Sequence, residues 1–201
     1  MNNDLIGLYA KDNGRGPSIE TMRGRRFYVL DPRPEEVFIG DIAHSVSQLC
    51  RFTGHTRTFY SVAQHCVLVS NLVEPWLALD GLLHDASEAY INDLSRPLKI
   101  ALDTVAPGVM RGIEDKIHEA IAERFGTIFP HHPSVKEADN IALATERRDL
   151  MSSTEEWAGL PDPDPDVIVP SASGLAKLQF LRRFNELETN ATVALLTRSY
   201  R

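Results

Sequence analysis

An imidazole and a carboxylate, His84 and Asp85, stand side by side in the run Leu82-Leu83-His84-Asp85-Ala86-Ser87-Glu88. The leucines before them and the alanine after them mark a segment that folds into an apolar core. Burying a charged carboxylate there costs several kcal/mol unless a cation or hydrogen bonds compensate. The doublet must therefore be tied to a partner or hold a metal ion, and the fold has to supply that partner. Two further ligand-type residues, His65 and Asp139, sit on flanking helical patterns.

The rest of the chain reads as mostly helical. Ser61-Val62-Ala63-Gln64 has capping-box form, with Val62, His65, Val69, Leu72 and Val73 recurring at helical period until Pro75. Trp76 to Tyr90 reads as a second helix and Val109 to Phe125 as a third, stopped by Gly126. Ser134-Val135-Lys136-Glu137 repeats the capping-box form and opens a helix to about Met151. After the acidic, proline-rich loop Pro161 to Asp166, a last helix runs near Gly174 to Arg198. Phe27 to Leu30 and Val37 to Ile39 flank Asp31-Pro32-Arg33-Pro34 and could pair as a short β-hairpin. The expectation is one all-α bundle over residues 1–201. Residues 1–26 form a loose N-terminal segment of it, and 167–201 a C-terminal helix packed back on it.

At 201 residues and 43% hydrophobic composition the chain can bury a sizeable core. Its formal net charge of -7 speaks against generic binding of nucleic-acid polymers or anionic membrane surfaces. Cys50 and Cys66 lack a metal-binding or disulfide pattern and read as isolated thiols in a reducing compartment. With no apolar leader after Met1 and no membrane-spanning run, the expected location is the cytoplasm.

On an ideal helix His84 and Glu88 lie roughly 40° apart and Asp85 and Glu88 roughly 60° apart, so the three share a face. His65 and Asp139 could converge on them from neighbouring helices of a bundle. Two neutral imidazoles and two carboxylates suit a divalent transition ion: Mn²⁺, Fe²⁺, Co²⁺, Ni²⁺ or Zn²⁺. Such an ion can acidify water and polarise phosphorus at once. Buried His–Asp hydrogen bonds without metal are the competing reading, and the complete set of four favours metal.

The pattern His65, His84-Asp85, Asp139 resembles the signature H…HD…D of the HD-domain metal-dependent phosphohydrolases. The stretches Cys50 to His65, His84 to Lys99 and Val135 to Asp139 resemble its small nucleotide-hydrolysing branch. That branch includes 5′-deoxynucleotidases and phage-type deoxynucleoside triphosphohydrolases. The resemblance covers about residues 27–151. It implies His65, His84, Asp85 and Asp139 as metal ligands. It also implies Glu88 and Asp93 as the acids that orient water or protonate the leaving oxygen, in some relatives around an additional metal such as Mg²⁺. Arg51, Lys99 and Lys136 match phosphate-contacting positions, and Phe52 stands where relatives often carry tryptophan beside the sugar.

From the residues alone, Lys136 shares a face with Asp139, Lys99 reads more readily as a solvated lysine, and Arg51 either grips phosphate or pairs with Asp41. Glu146 and Arg147 read as a solvated or salt-bridged face, and His131 and His132 as surface residues first and substrate-rim residues second. His44, His55 and His118 show no partner pattern. The expected activity is hydrolysis of deoxynucleoside 5′-phosphates, with triphosphates preferred because three cations exceed what one phosphate needs. Monophosphates are the alternative, with phosphodiester hydrolysis or non-enzymatic nucleotide sensing behind them. The resemblance also implies a dimer or hexamer.

Overall fold

The structure, a computed structural model, describes residues 14–152, 155 and 157–199, with side chains to residue 190. The expected hairpin exists, but with a different partner. Strand β1 (Ser18–Glu20) pairs antiparallel with β2 (Arg26–Tyr28), in the register Ser18 to Tyr28 and Ile19 to Phe27. The turn between them closes through Thr21 N–H to the Arg25 carbonyl at 2.8 Å, with Gly24 at φ 69°. A left-handed residue at that point suits glycine, which has no Cβ to clash. So part of the supposedly loose N-terminal segment is ordered, while residues 1–13 lie outside the described residues. Val37–Ile39 form no strand, because Pro34 starts a 3₁₀ turn (Pro34–Glu36) and helix α1 (Ile39–Gln48) follows at once.

Helix α2 (Val62–Leu72) occupies the centre, its Ser61 hydroxyl accepting from the Gln64 amide at 3.2 Å as the capping pattern predicts. It contacts α1, α3 (Ala78–Leu83), α7 (Pro133–Leu150) and the C-terminal helix α8 (Ser173–Ser199). Gly81 lets α3 come close: a Cβ there would lie 3.2 Å from the Val69 carbonyl oxygen of α2. Ala176, Phe180 and Phe184 of α8 pack into the core with Ile42, Val46, Leu82 and Ile117. Arg183 fastens the same helix by donating to the Ser70 carbonyl at 3.0 Å.

The helix expected from Trp76 to Tyr90 is broken into pieces. A 3₁₀ turn (Pro75–Leu77) and α3 are followed by a tight segment through Ser87 and the one-turn helix α4 (Glu88–Ile91). Between Leu83 and Tyr90 the carbonyls bond three residues ahead, as in Glu88 N–H to Asp85 O at 3.1 Å. In that tighter winding residues i and i+3 eclipse, so Asp85 and Glu88 superpose more closely than an α-helix allows. Helix α5 (Arg96–Val105), with Pro97 in its first turn, and α6 (Val109–Phe125), ended by Gly126 at φ 71°, close that side of the molecule. Helix α7 begins at Pro133, and its cap is His132 rather than Ser134. The His132 ring accepts from the Ser134 amide at 3.3 Å, because proline occupies the first helical position.

Candidate metal centre

The four expected ligands converge. His65 projects from the first turn of α2, His84 and Asp85 from the tight segment after α3, and Asp139 from the second turn of α7. His65 Nε2 lies 3.2 Å from His84 Nε2, 3.2 Å from Asp139 Oδ1 and 3.4 Å from Asp85 Oδ2. His84 Nε2 lies 3.3 Å from Asp85 Oδ2 and 3.9 Å from Asp139 Oδ1. His65, His84 and Asp139 offer donor atoms within 4.8 Å of one another, a set that could hold a metal ion.

Proton bookkeeping strengthens that fit. His65 Nδ1 lies 2.6 Å from Glu146 Oε1, and a carboxylate only accepts, so Nδ1 carries the hydrogen. His84 Nδ1 likewise donates to the Gly81 carbonyl at 2.8 Å. With both Nδ1 atoms so engaged, the two Nε2 atoms face each other and two carboxylate oxygens, and when both rings are neutral each presents a bare lone pair. Four electron-rich atoms at this spacing repel unless a positive charge sits among them. The protein's own electrostatics express the same demand. Burial and Arg51 oppose protonation of His65, yet the carboxylates of Glu146, Asp139 and Asp85 outweigh them and hold His65 well above the usual imidazole range. Asp85 is held well below the carboxylate range, where His84 and His65 overcome the penalty of burial.

Glu146 is fully buried, which removes the solvated alternative, and it is paired with Arg51 and His65, as the salt-bridged alternative has it. It stands seven residues after Asp139, almost two full turns, so both point toward His65 from one side of α7. That spacing is the signal in the sequence that could have found it. Arg51 donates to Glu146 Oε2 at 3.1 Å and lies 3.5 Å from Asp85 Oδ2. It does not meet Asp41, whose nearest cation is Arg23 at 3.7 Å. Arg51 leads into Phe52 and Thr53, which take left-handed φ values of 53° and 55°. Phe52 faces Trp157, ring centroids 6.0 Å apart.

The two expected acids lie beside this cluster. Glu88 is 5% exposed, and its Oε2 has no hydrogen-bond partner. Burial, then the charges of Asp85 and Asp93, push its carboxyl well above the usual range. Asp93 is raised by burial and by Asp85, against the pull of Arg51. The cations are already engaged: Lys136 donates to Asp139 Oδ2 at 2.6 Å, and Lys99 to Glu114 of α6 at 2.8 Å.

Three histidines differ from their sequence reading. His118 Nε2 lies 2.9 Å from the Ser87 hydroxyl, and burial, with His131 adding, pushes its imidazole down to about 3. His131 is not a surface residue but packs edge-on against His118 at 4.8 Å. His132 caps α7 and packs against Trp76.

No family profile matches the chain. Two curated proteins do. Over 173 residues it is 43% identical to the uncharacterised protein YfdR of Escherichia coli (strain K12), covering 84% of this chain and 94% of YfdR. This chain belongs to the YfdR family. A second member, an uncharacterised protein of Rhodobacter capsulatus, is 33% identical over 160 residues, covering 71% of this chain and 79% of its own length. Neither YfdR-family relative carries a described activity in its name. Among the described residues no helix is long and apolar enough to cross a membrane.

Proposed function

We propose that the chain is an HD-domain phosphohydrolase that cleaves deoxynucleoside 5′-phosphates with a divalent transition ion held by His65, His84, Asp85 and Asp139. One observation carries the reading. Two imidazoles whose Nδ1 atoms are taken by hydrogen-bond acceptors turn their Nε2 atoms toward each other at 3.2 Å between carboxylates. The nucleotide part rests on the resemblance of Cys50 to His65 and His84 to Lys99 to the nucleotide-hydrolysing branch. Bound there, the ion would supply Lewis acidity toward a phosphoryl oxygen and acidify the attacking water.

The chain's own residues supply the rest. Glu146 and the Gly81 carbonyl fix the ring orientation and tautomer of the two histidines. Glu88, whose carboxyl burial and the charges of Asp85 and Asp93 push well above the usual range, would give its proton to the departing 5′-oxygen. A water oxygen would bond to the α-phosphorus and give one proton to whichever of Glu88 and Asp93 is ionised. The P–O5′ bond would break with its electron pair going to O5′, and the protonated member of the two acids would give O5′ its proton. A triphosphate substrate would then yield deoxynucleoside and inorganic triphosphate, and a monophosphate deoxynucleoside and phosphate. Lys99 and Lys136 would turn from their carboxylates toward phosphate oxygens.

Triphosphate is the first reading, from the three cations. One observation favours monophosphate as a second: Arg51, Lys99 and Lys136 each already face a carboxylate, which leaves less charge for a polyphosphate. Incubation with dATP and with dAMP, with Mn²⁺ or Co²⁺ and product chromatography, tests both. Inorganic triphosphate from dATP supports the first reading and cleavage of dAMP alone the second. No release from either substrate with any transition ion would refute the proposal.

A further inference from the structure

Helix α4 also walls a cavity of about 370 Å³ that shares no residue with the candidate metal centre. Strand β1, the turn after it and α1 form its other sides, with Ile19, Met22 and Leu49 as apolar lining. Of the polar lining, the Ser45 hydroxyl donates to the Ala89 carbonyl at 2.9 Å and His44 Nδ1 faces Lys177 Nζ at 3.3 Å, but three other groups lack partners. Asp41, 4% exposed, has no hydrogen-bond donor on either carboxylate oxygen. Thr21 Oγ1 and Tyr90 Oη, which line the same cavity, are buried and unpaired as well. Burial and the charge of Asp41 hold the Tyr90 phenol above its ordinary range, so it remains a hydroxyl. Buried carboxylates without donors are costly, and native proteins almost always satisfy them.

The nearest cation, Arg23, stands with Nε 3.7 Å from Asp41 Oδ1, beyond hydrogen-bond distance, and its side chain is 48% exposed. Glu20 adds a second acidic group to the lining, and the chain as a whole carries a net charge of -7. The cavity thus presents a bare carboxylate, two hydroxyls and an apolar wall, which is complementary to a cation on a short hydrocarbon stem.

We propose that this cavity binds a small molecule bearing a guanidinium group, with both oxygens of Asp41 accepting from its planar fork and Thr21 and Tyr90 completing the polar contacts. Guanidinium matches a carboxylate with two free oxygens better than a point-like ammonium does. The site goes beyond the phosphohydrolase reading and needs no metal.

The test is calorimetric titration of the full-length, metal-loaded chain with agmatine, and with butylurea as a neutral planar comparator. Saturable agmatine binding is expected, with butylurea inert. Asp41→Asn should weaken agmatine by about tenfold or more, the loss of a charge-assisted bidentate pair. Thr21→Val should weaken it less, with metal content unchanged in both variants. Arg23→Ala should bind at least as tightly, since it removes an internal rival for Asp41. Absent agmatine binding, equal binding of butylurea, or weaker binding by Arg23→Ala overturns the proposal. So does undiminished affinity in Asp41→Asn or, should that variant not fold, in both Thr21→Val and Glu20→Gln. A Gly-Arg-Gly peptide that binds more tightly than agmatine would overturn the free-molecule assignment in favour of a protein arginine.

Discussion

At the floor of the candidate metal centre His65 and Glu146 are both 0% exposed, and the Arg51 side chain beside them is 12% exposed. At the rim the Lys99 and Lys136 side chains are 38% and 68% exposed and hold their carboxylates through single contacts. The floor is an arrangement the protein cannot rearrange, because removing one partner strands a buried charge. The rim can let go, since exposed ion pairs contribute only about 0–1 kcal/mol. A site built this way keeps its donor atoms fixed while its cations would remain available to the phosphate of the proposed substrate.

The largest effect should come from the floor's donors. Asp85→Ala should abolish metal retention and turnover while circular dichroism still shows a helical protein; measurable turnover would contradict its role as a ligand. Glu88→Ala should keep the ion yet lose about 10²–10⁴-fold in kcat, the usual worth of a proton-transfer group. Full activity in that variant would remove Glu88 from proton handling.

Glu146→Gln sharpens the comparison from beneath. Glutamine can still accept from His65 Nδ1–H but no longer offsets Arg51. Metal affinity should fall about 10–100-fold, as for other residues that orient a ligand, and metal-free stability by about 3–5 kcal/mol. Equal stability would mean that the floor is not electrostatically locked.

The metal-free protein should also show a pH signature. His65 is held above its ordinary range by Glu146, Asp139 and Asp85 against burial, so its protonated form stabilises the fold. That stabilisation is complete below the unfolded-state pKa, about 6.5, and is lost as pH rises through the folded value. Added metal should therefore raise the Tm more at higher pH, because protons no longer compete for the donors. A metal-induced shift that shrinks with rising pH would contradict this. The smallest effect belongs to the rim: Lys136→Ala should change stability by less than about 1 kcal/mol while raising KM for substrate. A kcat effect like that of Glu88→Ala would place Lys136 on the floor instead.

The sequence carries the candidate ligand set because the chemistry is local. A His–Asp doublet in an apolar run needs a partner, and a capped amphipathic helix presents His65. It conceals the floor, because burial of Glu146 depends on where α7 lands against α2, and a charged residue near Arg147 and Arg148 looks solvated by composition. The hairpin was mispaired for a related reason. Phe27 belongs to a strand, but Gly24 rather than the proline pair makes the turn, so its partner lies upstream. The tight winding after Leu83 is likewise invisible to a helical-period reading, which cannot separate bonds to the third residue from bonds to the fourth. His118 and His131 meet from α6 and the loop before α7, a tertiary contact with no spacing to announce it.

Titration of the chelator-stripped protein with Co²⁺, followed by visible absorption, tests the central claim most directly. The spectrum should saturate at about one ion per chain with the bands of nitrogen and oxygen ligation, and both His65→Ala and His84→Ala should lose it. A featureless titration, or one unchanged in those variants, would contradict a metal centre at this place.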